Sequence, residues 1–360
     1  MKKISAEIVA DSINPQGNRI TSFILTYPRF IHSELMTHRL FSRNAASSRA
    51  IPFNKMVQMV EEDPFIPIAW QKDHKGMQGT EYLTGEDEKT AILQWKRAAH
   101  QATVSARQLN NNHFGVRKDL VTKQLCNRLL EPFQWYTCLV TATEYDNFFE
   151  LRCPRYEQEW LDTSNGLPGF ERVTVYKSKK DWSKENYNDE MDNWSIEEWQ
   201  SINTSQAEIH IQALAEAMWD VRNESTPNQL GVGEWHIPFQ NKMDEKDIYN
   251  NLLAPYNFDY NLGRINSYKI AIATARCARL SYMTFDGEID YEKDIKLHDQ
   301  LFESKHMSPF EHCARVMTNQ EYDDFHKGDL NKDDASQYGW CNNFRGFIQY
   351  RYLIENELPI

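Results

Sequence analysis

Three clusters of polar side chains have types and spacings that could do chemistry. The first lies within residues 38–49, where His38, Arg39, Arg43, Ser47, Ser48 and Arg49 bring guanidiniums, an imidazole and hydroxyls into a stretch poor in apolar residues. Such a set suits a phosphate, because Arg offers a two-pronged fork and Ser a neutral donor. A solvated basic turn with capping serines is the plainer reading of the same residues. The second cluster is the run His306, Met307, Ser308, Pro309, Phe310, Glu311, His312. Ser308 before Pro309, with Glu311 three residues on, has the spacing of a helix N-terminal capping box, and a cap whose N–H groups face outward can also meet an anion. The spacing is not HExxH and no Cys or His stands at a standard ligand distance, so no metal is expected. The third is the pair Arg128 and Arg152, which flank one β-branched run and could converge at its end, or else pair with Glu131, Glu144 or Glu150.

Elements must hold these clusters in place. Residues 20–27 read as a strand, after which Pro28 opens a helix carrying Ile31, Leu35 and Met36 inward, and 37–53 reads as a polar loop. From Glu86, Ile92, Trp95, Ala99, Ala102, Ala106 and Leu109 recur at helical steps until Asn111, Asn112 and Gly115 stop them. A second helix is expected through Leu120, Val121, Gln124, Leu125 and Leu129, ending at Pro132. The run 136–143 reads as a buried strand, and Thr143 with Asp146 has capping-box spacing for a helix bearing Asn147 and Arg152. Periodicity fades over 153–203, which gathers Trp160, Trp182, Trp194 and Trp199 and reads as an insertion. Ser205 and Glu208 form another box ahead of the stripe Ile211, Leu214, Met218 and Val221, and 223–263 looks like a connector. Ordered patterns resume over 270–282 and 289–302. The expected fold class is α+β (α/β), a mixed or antiparallel sheet flanked by helices.

Composition narrows the partners. Of 360 residues 41% are hydrophobic and 26% charged, enough apolar material for a packed core. The net charge of -12 opposes non-specific nucleic-acid binding and leaves room only for a local basic pocket. Six scattered cysteines without a CxxC pair, and no apolar run of membrane-spanning or signal-peptide length, lead us to expect a reduced, cytoplasmic protein away from membranes. There is no GxGxxG after a strand, no GxxxxGK[ST] and no nucleophile elbow.

Together the clusters resemble the flavin-dependent thymidylate synthases, whose signature is RHR, seven residues, then Ser. Here Thr37, His38 and Arg39 are followed by seven residues and Ser47, with Arg49 two further on. The likeness continues through SFILTYPRFIHSELMTHR upstream, NRLLEP and DNFFELR downstream, and Ser205 to Ile209 in place of AQxEI. The family's amino-terminal pieces stand near this chain's end, as ARLSY over 278–282 and HMSPFEH over 306–312. The chain therefore resembles a circularly permuted, insertion-bearing relative. Residues 1–152 and 204–222 would form the core, 153–203 the insertion and 223–263 the connector, with 264–360 completing the core.

The resemblance implies bound FAD, with NADPH and methylenetetrahydrofolate as co-substrates, one-carbon transfer to C5 of dUMP giving dTMP, and a homotetramer with shared sites. His38, Arg39, Asn147, Ser308 and Glu311 would contact FAD. Glu34, Ser47, Arg49, Arg128 and Arg152 would hold the nucleotide. Arg152 and His306 would be catalytic, with Arg152 polarising the pyrimidine so that no cysteine nucleophile is needed. The pattern is broken at Thr37 (Arg in the family), Ala45 (Glu), Thr143 (Arg), Thr204 (His) and Glu34 (Gln). The lost cations would need replacing, with Arg43 or Arg345 as candidates. The changes near the nucleotide leave open dCMP as substrate, a hydroxymethyl product, or a homologue that binds nucleotide without turnover.

Overall fold

Alternating side chains of a short antiparallel sheet are apolar on both faces, so the sheet must be covered twice. The computed structural model describes residues 2–75, 79, 81–111, 120–162, 170–186, 194–282, 290–328, 331 and 333–359. Strands β1 (Ser5–Ile13), β2 (Arg19–Pro28), β3 (Ser42–Ala45) and β4 (Trp135–Ala142) pair antiparallel in the order β3-β4-β2-β1, and the short strand Asn228–Gln229 adds parallel to β1. The β1–β2 turn closes on Gly17 at φ +82, a left-handed conformation that L side chains resist, with Asn14 Oδ1 accepting from the Asn18 amide at 2.8 Å.

On one face Phe23, Leu25, Tyr27, Cys138, Val140 and Ala142 pack against Phe148 and Phe149 of the Asp146–Arg152 helix and Ile211, Leu214 and Met218 of the Ile209–Glu224 helix. On the other face the cover comes from the carboxyl-terminal part of the chain. Val9 and Leu139 meet Phe239, Cys277 and Leu280, while Ile20 meets Ala314, Val316, Phe344 and Phe347. Each fully buried side chain of this size contributes about 1.5–3 kcal/mol, so the second face holds the two ends of the chain together. The fold is thus a mixed sheet flanked by helices.

Several expectations need correction. The polar stretch 37–53 contains the edge strand β3 and the start of the Phe53–Glu62 helix. The helix after Pro28 shrinks to a 3-10 turn and His32–Leu35, leaving Met36 exposed. The expected 120–129 helix is a single α-turn, Lys123–Cys126, followed by a 3-10 helix, Asn127–Phe133, that contains Pro132. Across this segment Cys126, Leu130 and Phe133 are buried while Leu120, Leu125 and Leu129 are exposed. The connector carries the parallel edge strand and the Glu245–Leu252 helix, which buries Ile248 and Leu252. None of the three expected capping boxes forms. The Asp146–Arg152 helix has Tyr145 at its N-cap without a side-chain bond, and Glu208 itself caps the Ile209–Glu224 helix. Ser308–Glu311 is only a 3-10 turn, preceded by Met307. Asn112 and Gly115 lie outside the described residues.

Within 153–203, strands Tyr156–Asp162 and Phe170–Tyr176 form a hairpin, and Tyr156, Tyr176, Trp182, Trp194 and Trp199 make an aromatic cluster of their own. All six cysteines are free and buried. Among the described residues no helix is long and apolar enough to cross a membrane.

Candidate functional site

Arg152 ends the helix that follows β4, so its guanidinium points across the sheet end toward the residues that follow β2. Its Nε donates to His38 Nε2 at 3.2 Å, Nη1 to Glu34 Oε2 at 3.4 Å and Nη2 to Thr37 Oγ1 at 3.5 Å. Accepting at Nε2 requires a neutral His38 with its proton on Nδ1. Burial and the neighbouring Arg152 and Arg43 push the His38 imidazole down to about 4. Burial, aided by the Glu208 carboxylate, raises Glu34 above the ordinary glutamate value against the pull of Arg152 and His210. Four candidate-segment residues thus converge on one half-buried spot.

β3 carries the chain from this spot to a second one. Ser47, Arg49, His306 and Pro309 line a cavity of about 480 Å³ with Asn44, Ala45, Gln124, Ala278 and Leu301. The two ends of the chain meet here because Asn44 bridges them. Its Nδ2 donates to the Cys277 carbonyl at 2.7 Å and its Oδ1 accepts from Ser308 Oγ at 3.3 Å. Ser42, two residues earlier on the same side of β3, accepts at Oγ from Gln349 and Asn343 at 3.1 and 3.0 Å. The Arg49 guanidinium and the His306 imidazole make no hydrogen bond or ion pair among the described residues, and both residues are exposed. Arg39 and Asn147 are likewise exposed with unengaged side chains among the described residues.

Other expected members are held elsewhere. Arg128 pairs with Glu131 at 3.0 Å and lines neither spot, the ordinary outcome for a surface arginine three residues from a glutamate. Glu311 is paired with Arg351 at 2.6 Å. The two arginines expected to replace lost cations are committed to backbone. Arg43 donates to the carbonyls of Met36 and His38, and Arg345 to those of Tyr338 and Ala335. Thr143 Oγ1 accepts from the Arg345 amide at 2.9 Å, and Thr204 Oγ1 donates to Glu157 at 2.6 Å, so both serve the fold. Asn44 and Gln124 were not among the residues singled out from sequence. Both are uncharged amides, Asn44 inside the cationic stretch and Gln124 far from it, and only the docking of distant segments makes them cavity walls.

No activated thiol stands near either spot. Burial pushes Cys138, Cys313 and Cys341 up to about 12. His236 and His312 are fully buried. His236 bridges Ser12 Oγ and Ser22 Oγ, each at 2.9 Å; Ser22 meets Thr141 at 2.6 Å, and Thr141 meets His312 Nδ1 at 2.9 Å. This relay pins the carboxyl-terminal cover to the sheet.

No family model and no curated protein matches the chain. Among solved structures it is similar to PolB, a UMP/dUMP methylase from Streptomyces cacaoi. The form bound with 5-Br UMP is 16% identical, with a TM-score of 0.38, over 62% of this chain and 90% of that one. The form bound with 5-Br dUMP is 14% identical, with a TM-score of 0.39, over 62% and 91%.

Proposed function

We propose that this protein is a flavin-dependent enzyme that transfers a one-carbon unit to C5 of a pyrimidine deoxynucleotide monophosphate, using methylenetetrahydrofolate and NADPH. The observation that carries the reading is the cavity lined by Ser47, Arg49 and His306, the last two without a side-chain partner among the described residues, joined through β3 to the Arg152 group.

An anionic cofactor and an anionic substrate need cations that the fold has not already neutralised, and Arg39 and Arg49 meet that need. The residues present therefore fit FAD, with His38, Arg39, Asn147 and Ser308 as its contacts; when bound it supplies reducing equivalents. Ser47 and Arg49 hold the phosphate. Arg152 faces the pyrimidine and stabilises the charge that builds on the ring oxygens as C5 becomes nucleophilic. Its orientation is set by His38, whose lone pair fixes Nε. With every described thiol buried and protonated, C5 is activated by electrostatics rather than by covalent attack from sulfur. Active sites shared within a homotetramer belong to the same proposal.

A flavin absorbance spectrum, recorded with and without dUMP and dCMP, tests the cofactor. The mass of the nucleotide after incubation with methylenetetrahydrofolate and NADPH tests the reaction and separates a methyl from a hydroxymethyl product. A protein that takes up no flavin and adds no mass to either nucleotide overturns the proposal.

A further inference from the structure

We propose that Glu34 makes this site selective for a cytosine base, so that the nucleotide it accepts is dCMP in preference to dUMP. The inference rests on reading the Arg152 group as the place of the pyrimidine, and departs from the uracil that the family resemblance implies.

Glu34 projects from the short His32–Leu35 helix with its side chain 34% exposed. One carboxyl oxygen faces Arg152 Nη1 at 3.4 Å, and the other bonds to nothing among the described residues. The spot therefore presents an acceptor-only carboxylate beside a guanidinium donor. Cytosine carries the N4 amino donor where uracil carries the O4 acceptor, and a carboxylate accepts from N4. Beside that amino group cytosine has the N3 lone pair. A carboxyl can share one proton with N3 whichever of the two holds it, while its second oxygen takes the N4 hydrogen.

Uracil fits poorly by the same logic. Its N3–H can donate to one carboxylate oxygen, but its O4 then stands against the other, and relief requires Glu34 to stay fully protonated. Burial and the nearby Glu208 make Glu34 easier to protonate than a surface glutamate, which eases a proton into either complex, but only cytosine can share that proton with its own N3. A glutamine here could donate to O4 or accept from N4 by turning over, and so would not exclude uracil. An unmatched polar contact of this kind is what discriminates bases strongly in buried sites.

The test uses the whole chain loaded with FAD and supplied with methylenetetrahydrofolate, NADPH and dCMP and dUMP together, read by nucleotide mass, with calorimetric binding of each nucleotide in parallel. Glu34→Gln is compared with the unaltered chain, and a thermal melt confirms that both are folded. Expected are at least a tenfold higher kcat/KM and tighter binding for dCMP, and a fall of at least tenfold in that preference in Glu34→Gln. Preference for dUMP by the unaltered protein, or the same dCMP:dUMP ratio in Glu34→Gln, overturns the inference. Selective dCMP binding lost in Glu34→Gln but without turnover supports the base assignment while refuting the reaction. Binding of neither nucleotide sinks both.

Discussion

Two regions of this molecule are both built from polar side chains, histidine among them, and behave in opposite ways. In the relay Ser12, His236, Ser22, Thr141, His312, imidazoles and hydroxyls are buried and bonded to one another, with only His312 Nε2 unpaired among the described residues. Around β3, Arg39, Arg49, Asn147 and His306 have exposed side chains that bond to nothing described. A polar group whose partners lie within the fold stabilises the fold, whereas one held in place by its backbone and left unpartnered is available to a ligand. A histidine falls on either side of that divide, so its type alone does not say which role it plays.

The widest gap between the regions should appear with pH. Burial pushes His236 down to about 4 and His312 down to about 3, so both stay neutral in the folded protein while their unfolded counterparts protonate below about 6.5. The unfolded state then binds more protons, and stability falls as pH falls through this window. Between pH 7 and 5 the two histidines together should remove about 3–4 kcal/mol. Denaturant melts at several pH values measure this, and a flat profile would mean that the relay is not closed to solvent.

His236→Ala comes next. It removes two hydrogen bonds and leaves a cavity between sheet and cover, for an expected loss of about 3 kcal/mol. Calorimetric nucleotide affinity at a temperature where the variant remains folded should be nearly unchanged. A selective loss of nucleotide binding would place this region in the site after all.

Arg152→Ala should do the reverse. Turnover is expected to drop by about a hundredfold, the scale of removing one transition-state donor, while the melting temperature barely moves. Comparable loss of stability would blur the contrast. Arg49→Ala should weaken nucleotide binding by about thirtyfold, in keeping with one charge-assisted contact, and leave the flavin spectrum intact. Simultaneous loss of flavin would contradict its assignment to the phosphate. Smallest of all is Arg128→Ala, expected to change nucleotide affinity by less than about twofold because this exposed side chain is already paired with Glu131. A large effect there would show that Arg128 reaches a site from a neighbouring subunit.

Much of the fold was legible from local pattern. The strands over 20–27 and 136–143 and the helices carrying Ala99 and Leu214 sit where apolar spacing put them, within a residue or two at the strand ends. The failures share a cause. Short polar elements such as β3 gain their structure from partners far away in sequence, and Ser42, Arg43, Asn44 and Ala45 carry no periodic signal of their own. The absent capping boxes teach the same lesson, since Thr143, Ser205 and Ser308 each found tertiary partners instead.

The sequence by itself determined the inventory. It set the cationic stretch 38–49 within an acidic chain, an arginine at each flank of one buried strand, and no loop suited to binding a dinucleotide in the Rossmann manner. Tertiary structure alone decided which of those charges remain available. Arg43 and Arg128 are taken up by chain neighbours, the Met36 and His38 carbonyls and Glu131, whereas the cavity that Arg49 lines exists only because the last third of the chain packs against the first fifty residues.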